Sequence, residues 1–231
     1  MDKRWTQPLP TGFSLLDATL GTGGLPRGHI VEIFGPPACG KTALALQCVA
    51  HLQHMGAVAA WIDAEHAFEP RFATQLGINL AELPVAEPES AEEAMEMARR
   101  LICSCAVDLV VIDSAAALVP RLELESGIPS GSRSLQSRVL ASELRKVAWM
   151  AAKSGVCALF LNQVRIRPEG VAGELETSAG GPSLKLHAAV RISLAAHGRM
   201  VRFRVLKNRL GTAFLTGELE WRPGSGFFEQ G

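Results

Sequence analysis

The residues Gly35-Pro36-Pro37-Ala38-Cys39-Gly40-Lys41-Thr42 carry the most explicit chemistry in the chain. Their spacing, G-x-x-x-x-G-K-T, is that of a loop whose backbone N–H groups wrap the phosphates of a nucleotide. Lys41 is expected to reach the β and γ phosphates, and the Thr42 hydroxyl to coordinate Mg²⁺. Pro36 and Pro37 have no N–H, so the cradling donors must come from Ala38 through Thr42, with Ala43 completing the nucleotide-binding stretch. Three further polar groups end apolar runs, where a parallel sheet places its ligands. Asp113 suits a partner of Mg²⁺, or else a cap of the next helix. Glu65, in Asp63-Ala64-Glu65, could polarise an attacking water. Gln163 could sense a γ phosphate and signal its loss to the loop that follows.

These groups need elements to hold them. Ile30 to Phe34 reads as a strand feeding the Gly-rich loop. Thr42 to Met55 reads as a helix, with Ala45, Cys48, Val49, Leu52 and Met55 at helical spacing. Strand, loop, helix puts phosphate charge at a helix N-terminus, as the motif requires. Residues 57–62, 107–112 and 156–161 are continuous apolar runs, the signature of strands covered on both faces. Between them lie a short helix over 71–76 and a helix entered through Ser90 and Glu93, spaced as a capping box. A long helix from Leu135 to Ala151 follows, with Arg138 and Arg145 sharing a separate face. Residues 126–134 and 165–182 read as loops, and 188–195, 200–206 and 213–221 as strands joined by short turns. The expectation is an α/β fold: a mostly parallel central sheet flanked by helices and extended by antiparallel strands at the C-terminal end. Residues 1–10 read as an arm and 11–231 as one domain.

Composition narrows the class. Hydrophobic residues make up 48% and charged residues 20% of the 231, as in a globular protein. No run approaches a membrane span and the N-terminus lacks a signal peptide's apolar core, so a cytoplasmic protein is expected. The five cysteines fall in helical or strand patterns and are expected to be buried thiols. Net charge is zero, yet residues 133–209 hold 14 Lys/Arg against 4 Asp/Glu. That imbalance points to an anion-binding face.

In order and at matching spacing, the chain resembles the bacterial RecA recombinase family, as the ATPase core alone. The resemblance is carried by Gly24-Leu25-Pro26, the phosphate loop, Ile62-Asp63-Ala64-Glu65-His66-Ala67, Val111-Ile112-Asp113-Ser114, Asn162-Gln163-Val164-Arg165, Gly180-Gly181 and Lys207-Asn208. It implies a RecA-like fold and an ATPase that uses ATP and Mg²⁺, depends on single-stranded DNA, and acts in recombination and SOS-type repair. It implies Glu65 as the glutamate that activates water, and Glu69 and Phe72 as the positions holding adenine, where the family usually has Asp and Tyr. Gln163 would link the γ phosphate to a second DNA-binding loop at 164–180, the first being 126–134. Arg133, Arg138, Arg145, Arg165 and Arg167 would face the DNA backbone. Lys207 and Arg209 would reach the neighbouring subunit's ATP, where the family has two lysines.

The departures open a second reading. On this resemblance only about ten residues of the given sequence precede the core, and the family's C-terminal duplex-DNA domain is expected to be missing. Pro168, Glu169, Ala172, Glu174 and Glu176 occupy the second loop where the family carries apolar and aromatic side chains. Leu186 stands at a subunit contact in place of Phe. On this alternative the chain is an accessory paralogue that modulates a full-length recombinase or translesion polymerase components, with ATP as a structural or switching ligand.

Overall fold

The computed structural model describes residues 7–126, 133–166, 176–178 and 181–229, with 133–134, 165–166 and 176–178 as backbone only. Ten strands and seven α-helices occur among them. These are α1 (Ser14–Leu20), β1 (Ile30–Gly35), α2 (Lys41–His54), β2 (Ala59–Asp63), α3 (Pro70–Gln75), β3 (Val85–Ala86), α4 (Ala91–Ser104) and β4 (Leu109–Asp113). Then come α5 (Arg121–Ser126), α6 (Arg133–Ser154), β5 (Cys157–Ile166), β6 (Glu176–Ser178), α7 (Pro182–His187), β7 (Val190–His197), β8 (Met200–Asn208), β9 (Thr216–Arg222) and β10 (Gly226–Phe228). The strands are ordered β10-β9-β8-β7-β1-β5-β4-β2-β3, with β6 paired to β5 alone. From β7 to β3 all neighbours are parallel; from β7 to β10 they are antiparallel. The expected fold class is therefore observed.

The apolar runs are continuous because both sheet faces are covered. Val31, Ile33, Trp61, Val111, Leu159 and Leu161 pack on one side with Leu44, Val49 and Leu52 of α2. Ile30, Ala60, Ile62, Val110, Ile112, Ala158 and Phe160 pack on the other, under Ala94, Met95 and Ala98 of α4 and Leu140, Leu144 and Val147 of α6. Alternation along each strand thus feeds two cores.

Several elements differ from the reading above. Helices α5 and α7 and strands β6 and β10 fall where loops or no element were expected. The capping box is half-formed: Glu93 N–H donates to Ser90 Oγ (3.3 Å), but the Glu93 carboxylate accepts from Glu89 N–H (2.9 Å) rather than Ser90. Cys39, Cys48 and Cys157 are buried, whereas Cys103 and Cys105 are exposed. Cys103 lies in α4 but off its buried stripe of Ala94, Met95, Ala98 and Ile102, and Cys105 falls beyond the helix end at Ser104, in the left-handed region (φ 53°). Most of both candidate DNA-binding loops, all of Arg167, and the side chains of Arg133 and Arg165 lie outside the described residues.

Candidate nucleotide site

The phosphate loop leaves the central strand β1 and enters α2 with two unusual backbone positions. Ala38 and Gly40 have φ of 58° and 91°. At Gly40 glycine is required twice over, by that φ and by a neighbour: a Cβ there would stand 2.4 Å from the Phe227 ring. A Cβ at Gly35 would stand 2.5 Å from the Leu194 carbonyl of β7. The loop is therefore clamped from below by chain that lies far away in sequence. Lys41 Nζ donates to the carbonyls of Pro36 (2.7 Å) and Gly35 (3.2 Å), which holds the ammonium against the loop. Cys39 and Ala43 are buried beneath it.

On the β5 side of β1, the strand ends gather carboxylates. Thr42 Oγ1 donates to Asp113 Oδ2 at 2.9 Å. Burial pushes the Asp113 carboxyl up to about 6, with Glu65 and Asp63 adding repulsion and Thr42 opposing the rise. A hydroxyl beside a crowded, desolvated carboxylate is a donor set suited to a hard cation that keeps most of its water, such as Mg²⁺. Among the described residues no three His, Cys, Asp or Glu side chains converge to hold a metal by themselves. Two protein ligands therefore fit a cation whose remaining partners come from phosphate and water. Asp113 does not cap the following turn, since Ser114 occupies that position.

Glu65 is placed by its backbone and its side chain together. The Asp113 carbonyl accepts from the N–H groups of Ala64 (2.7 Å) and Glu65 (3.1 Å). Buried Asp63 accepts from Phe68 N–H at 2.7 Å, which folds the 64–68 segment over the strand end. Glu65 Oε1 then accepts from Ser114 Oγ and from Gln163 Nε2, the latter at 3.1 Å. So Glu65 and Gln163, 98 residues apart, meet directly. Beyond Gln163, β5 runs on through Val164, whose partner is Ser178 of β6.

Beneath this edge lies a buried ion pair. Glu32 of β1 is fully buried, accepts from Asn162 Nδ2 (2.9 Å) and pairs with Arg191 of β7. The Asn162 Oδ1 in turn accepts from Gln163 N–H at 2.9 Å. The Arg191 guanidinium also lies 4.5 Å from the Phe34 ring centroid. One carboxylate thus ties β5, β1 and β7 just below the loop.

Glu69 and Phe72 sit at the start of α3. Glu69 is exposed and caps the helix through Arg71 N–H (3.1 Å). Phe72 is half-buried, 6.4 Å from Trp221, which is 5.0 Å from Phe227, the ring under Gly40. On the β7 side, Lys207 Nζ donates to the Lys185 (2.7 Å) and Leu186 (3.0 Å) carbonyls, and Arg209 to Leu186 (2.9 Å). These are the last carbonyls of α7, where a helix end favours cations. Partial burial, then Arg209 and Arg191, hold the Lys207 ammonium down to about 8. Arg145 of α6 lies near enough to this group to help depress His187 after burial and Arg209. Arg138 is exposed on the same helix.

Ser114, Glu32 and Asn162 entered the sequence reading only inside strand or matching blocks, with no role given to them, and Arg191, Trp221 and Phe227 were given none either. Ser114, next to a strand-end aspartate, had a local signal. Trp221 and Phe227 had none, because their neighbours lie across the chain.

A strand–loop–helix cradle at the centre of a parallel sheet, with carboxylates on adjacent strand ends, defines a P-loop α/β protein. The sequence comparisons then narrow the class. The model for the RecA N-terminal domain matches residues 2–227. Protein RecA of Thermus thermophilus is 43% identical, over 98% of this chain and 70% of its own length. Protein RecA of Frankia alni is 41% identical over 97% and 68%, and that of Bifidobacterium breve 42% over 96% and 59%. The chain belongs to the RecA family.

Proposed function

We propose that this protein is a RecA-like ATPase of DNA recombination and repair, hydrolysing ATP in response to single-stranded DNA. The observation that carries the reading is the meeting of Gln163 and Ser114 on one oxygen of Glu65, beside the phosphate loop. On this reading the N–H groups of 38–42 and Lys41 hold the triphosphate, and Thr42 with Asp113 holds Mg²⁺. Bound Mg²⁺ would neutralise charge developing on the phosphates. Glu65 orients water and takes its proton, and Ser114 fixes the carboxylate's rotamer. Gln163 exchanges its bond to Glu65 for one to phosphate, and β5 carries that change into the DNA-contacting segment. Phe72 and Trp221 flank the base, with Glu69 at its edge. Lys207 and Arg209 face a neighbouring subunit's phosphates, and Arg133, Arg138, Arg145, Arg165 and Arg167 face the DNA backbone.

The test is ATP turnover with and without single-stranded DNA, in the full chain and in Glu65→Gln. Stimulation by DNA is expected, with a fall of about 10²–10⁴-fold in the variant, the usual worth of a general base, and retained nucleotide binding. Unstimulated turnover that the variant leaves unchanged would sink the reading. The acids and proline at 168–176 support a second one, in which the chain modulates a full-length recombinase or translesion polymerase. Acids repel phosphate and offer no apolar wedge between bases. Strand exchange by the isolated protein would decide against that alternative.

A further inference from the structure

We propose that the outer stripe of α6 is a single-stranded nucleic-acid track that extends past Arg138 and Arg145, with Trp149 as a base-stacking platform and Lys153 as a further phosphate contact. The inference rests on the DNA-binding reading above and adds residues that the resemblance does not supply.

Helix α6 is 22 residues long, and positions 138, 145, 149 and 153 are spaced by seven, four and four. Residues so spaced share one face. All four are exposed, and Trp149, the largest side chain type, keeps 63% of its surface open. From Arg145 to Lys153 the helix rises about 12 Å, with the indole midway. The single acid of α6, Glu143, points elsewhere: it bonds Arg99 of α4 (3.2 Å) and Lys146 (2.6 Å). The stripe therefore holds three cations, one indole and no carboxylate. Among the described residues no salt bridge engages Arg138, Arg145 or Lys153.

Trp149 also differs from the other well-exposed rings. Phe214 and Phe228 carry the guanidinium groups of Arg204 (5.7 Å) and Arg222 (4.5 Å) over their faces. No aromatic ring or guanidinium stacks on Trp149 among the described residues. An open π-face between cations at i−4 and i+4 fits a polymer that alternates planar bases with phosphates. A protein partner would need apolar surface beside the indole, and on α6 its neighbours along the stripe are cations.

Anisotropy of a labelled oligothymidylate, titrated with the full chain at several salt concentrations, tests this. Trp149→Ala is expected to weaken binding about 5- to 150-fold, the range for one stacked base, while Trp149→Phe keeps most of the affinity. Lys153→Ala is expected to lower the slope of log affinity against log salt by about 0.7. The far-ultraviolet circular dichroism of each variant should match the parent. If Trp149→Ala and Lys153→Ala both bind like the parent, the track is refuted. If Trp149→Ala changes the sedimenting mass and leaves DNA affinity intact, the face is a protein contact and the proposal falls. A parent chain that does not bind the oligonucleotide removes the DNA reading itself, a different failure from the first two.

Discussion

The two flanks of β1 are charged oppositely and held differently. Toward β5, β4 and β2, Asp63, Asp113 and Glu65 each accept from a group in the same chain: Phe68 N–H, Thr42 Oγ1, and Ser114 with Gln163. Toward β7 and β8, among the described residues the side chains of Lys207 and Arg209 hold only carbonyls in the last turn of α7. Among the described residues no carboxylate pairs with either. The acidic flank is internally satisfied, so its geometry is set by the fold alone. The basic flank is positioned but not neutralised, and its charge remains for anions from outside. One side of the loop is thus satisfied within the chain, while the other keeps its charge without a carboxylate partner among the described residues.

Three experiments would break or sharpen that contrast. The largest effect should come from Glu32, the joint between the flanks. Replacing it by Ala leaves Arg191 buried without its carboxylate, which should cost about 3–5 kcal/mol, read from urea unfolding monitored by circular dichroism. A loss under about 1 kcal/mol, the usual worth of an exposed pair, would mean the flanks are not joined there. Next is the acidic flank's pH response. Asp113 holds its proton up to about pH 6, and a cation needs the carboxylate. Mg²⁺-dependent nucleotide affinity should therefore fall about tenfold per pH unit below that midpoint and stay level above it, as measured by calorimetry. Asp113→Asn should be weak at every pH and lack that limb. The smallest effect belongs to the basic flank. Lys207 loses its charge near pH 8 whereas arginine stays protonated, so phosphate-dependent self-association should weaken a few-fold between about pH 7 and about pH 9. Lys207→Arg should flatten that decline; if the variant declines equally, Lys207 does not face the phosphate.

How much of this was legible in sequence follows from contact range. The phosphate loop, Glu65, Asp113 and Gln163 each follow an apolar run, and a strand end is a position that local pattern can mark. That Gln163 bonds Glu65 was not legible, because the sheet order β1-β5-β4-β2 is not the chain order. The strands read as uniformly apolar because two cores claim alternate residues, so their existence is legible in the pattern but their facing is not. Helix α7 was missed because six residues give too few turns for periodicity to show. Trp149 was passed over because spacing puts it on the face of Arg138 and Arg145, off the apolar stripe, but does not tell how far that face is exposed.

Phe227 has a consequence for how the protein comes into being. Its ring fills the space that a side chain at Gly40 would need, and its backbone exchanges two hydrogen bonds with Gln47, 180 residues earlier. Contacts of such separation form only after the intervening chain has been ordered, because closing the long loop costs entropy before any contact returns it. During synthesis, β1 and α2 emerge early but wait for residue 227 before their brace arrives. On the proposed reading, tight nucleotide binding would then be a late event, gained when β10 docks.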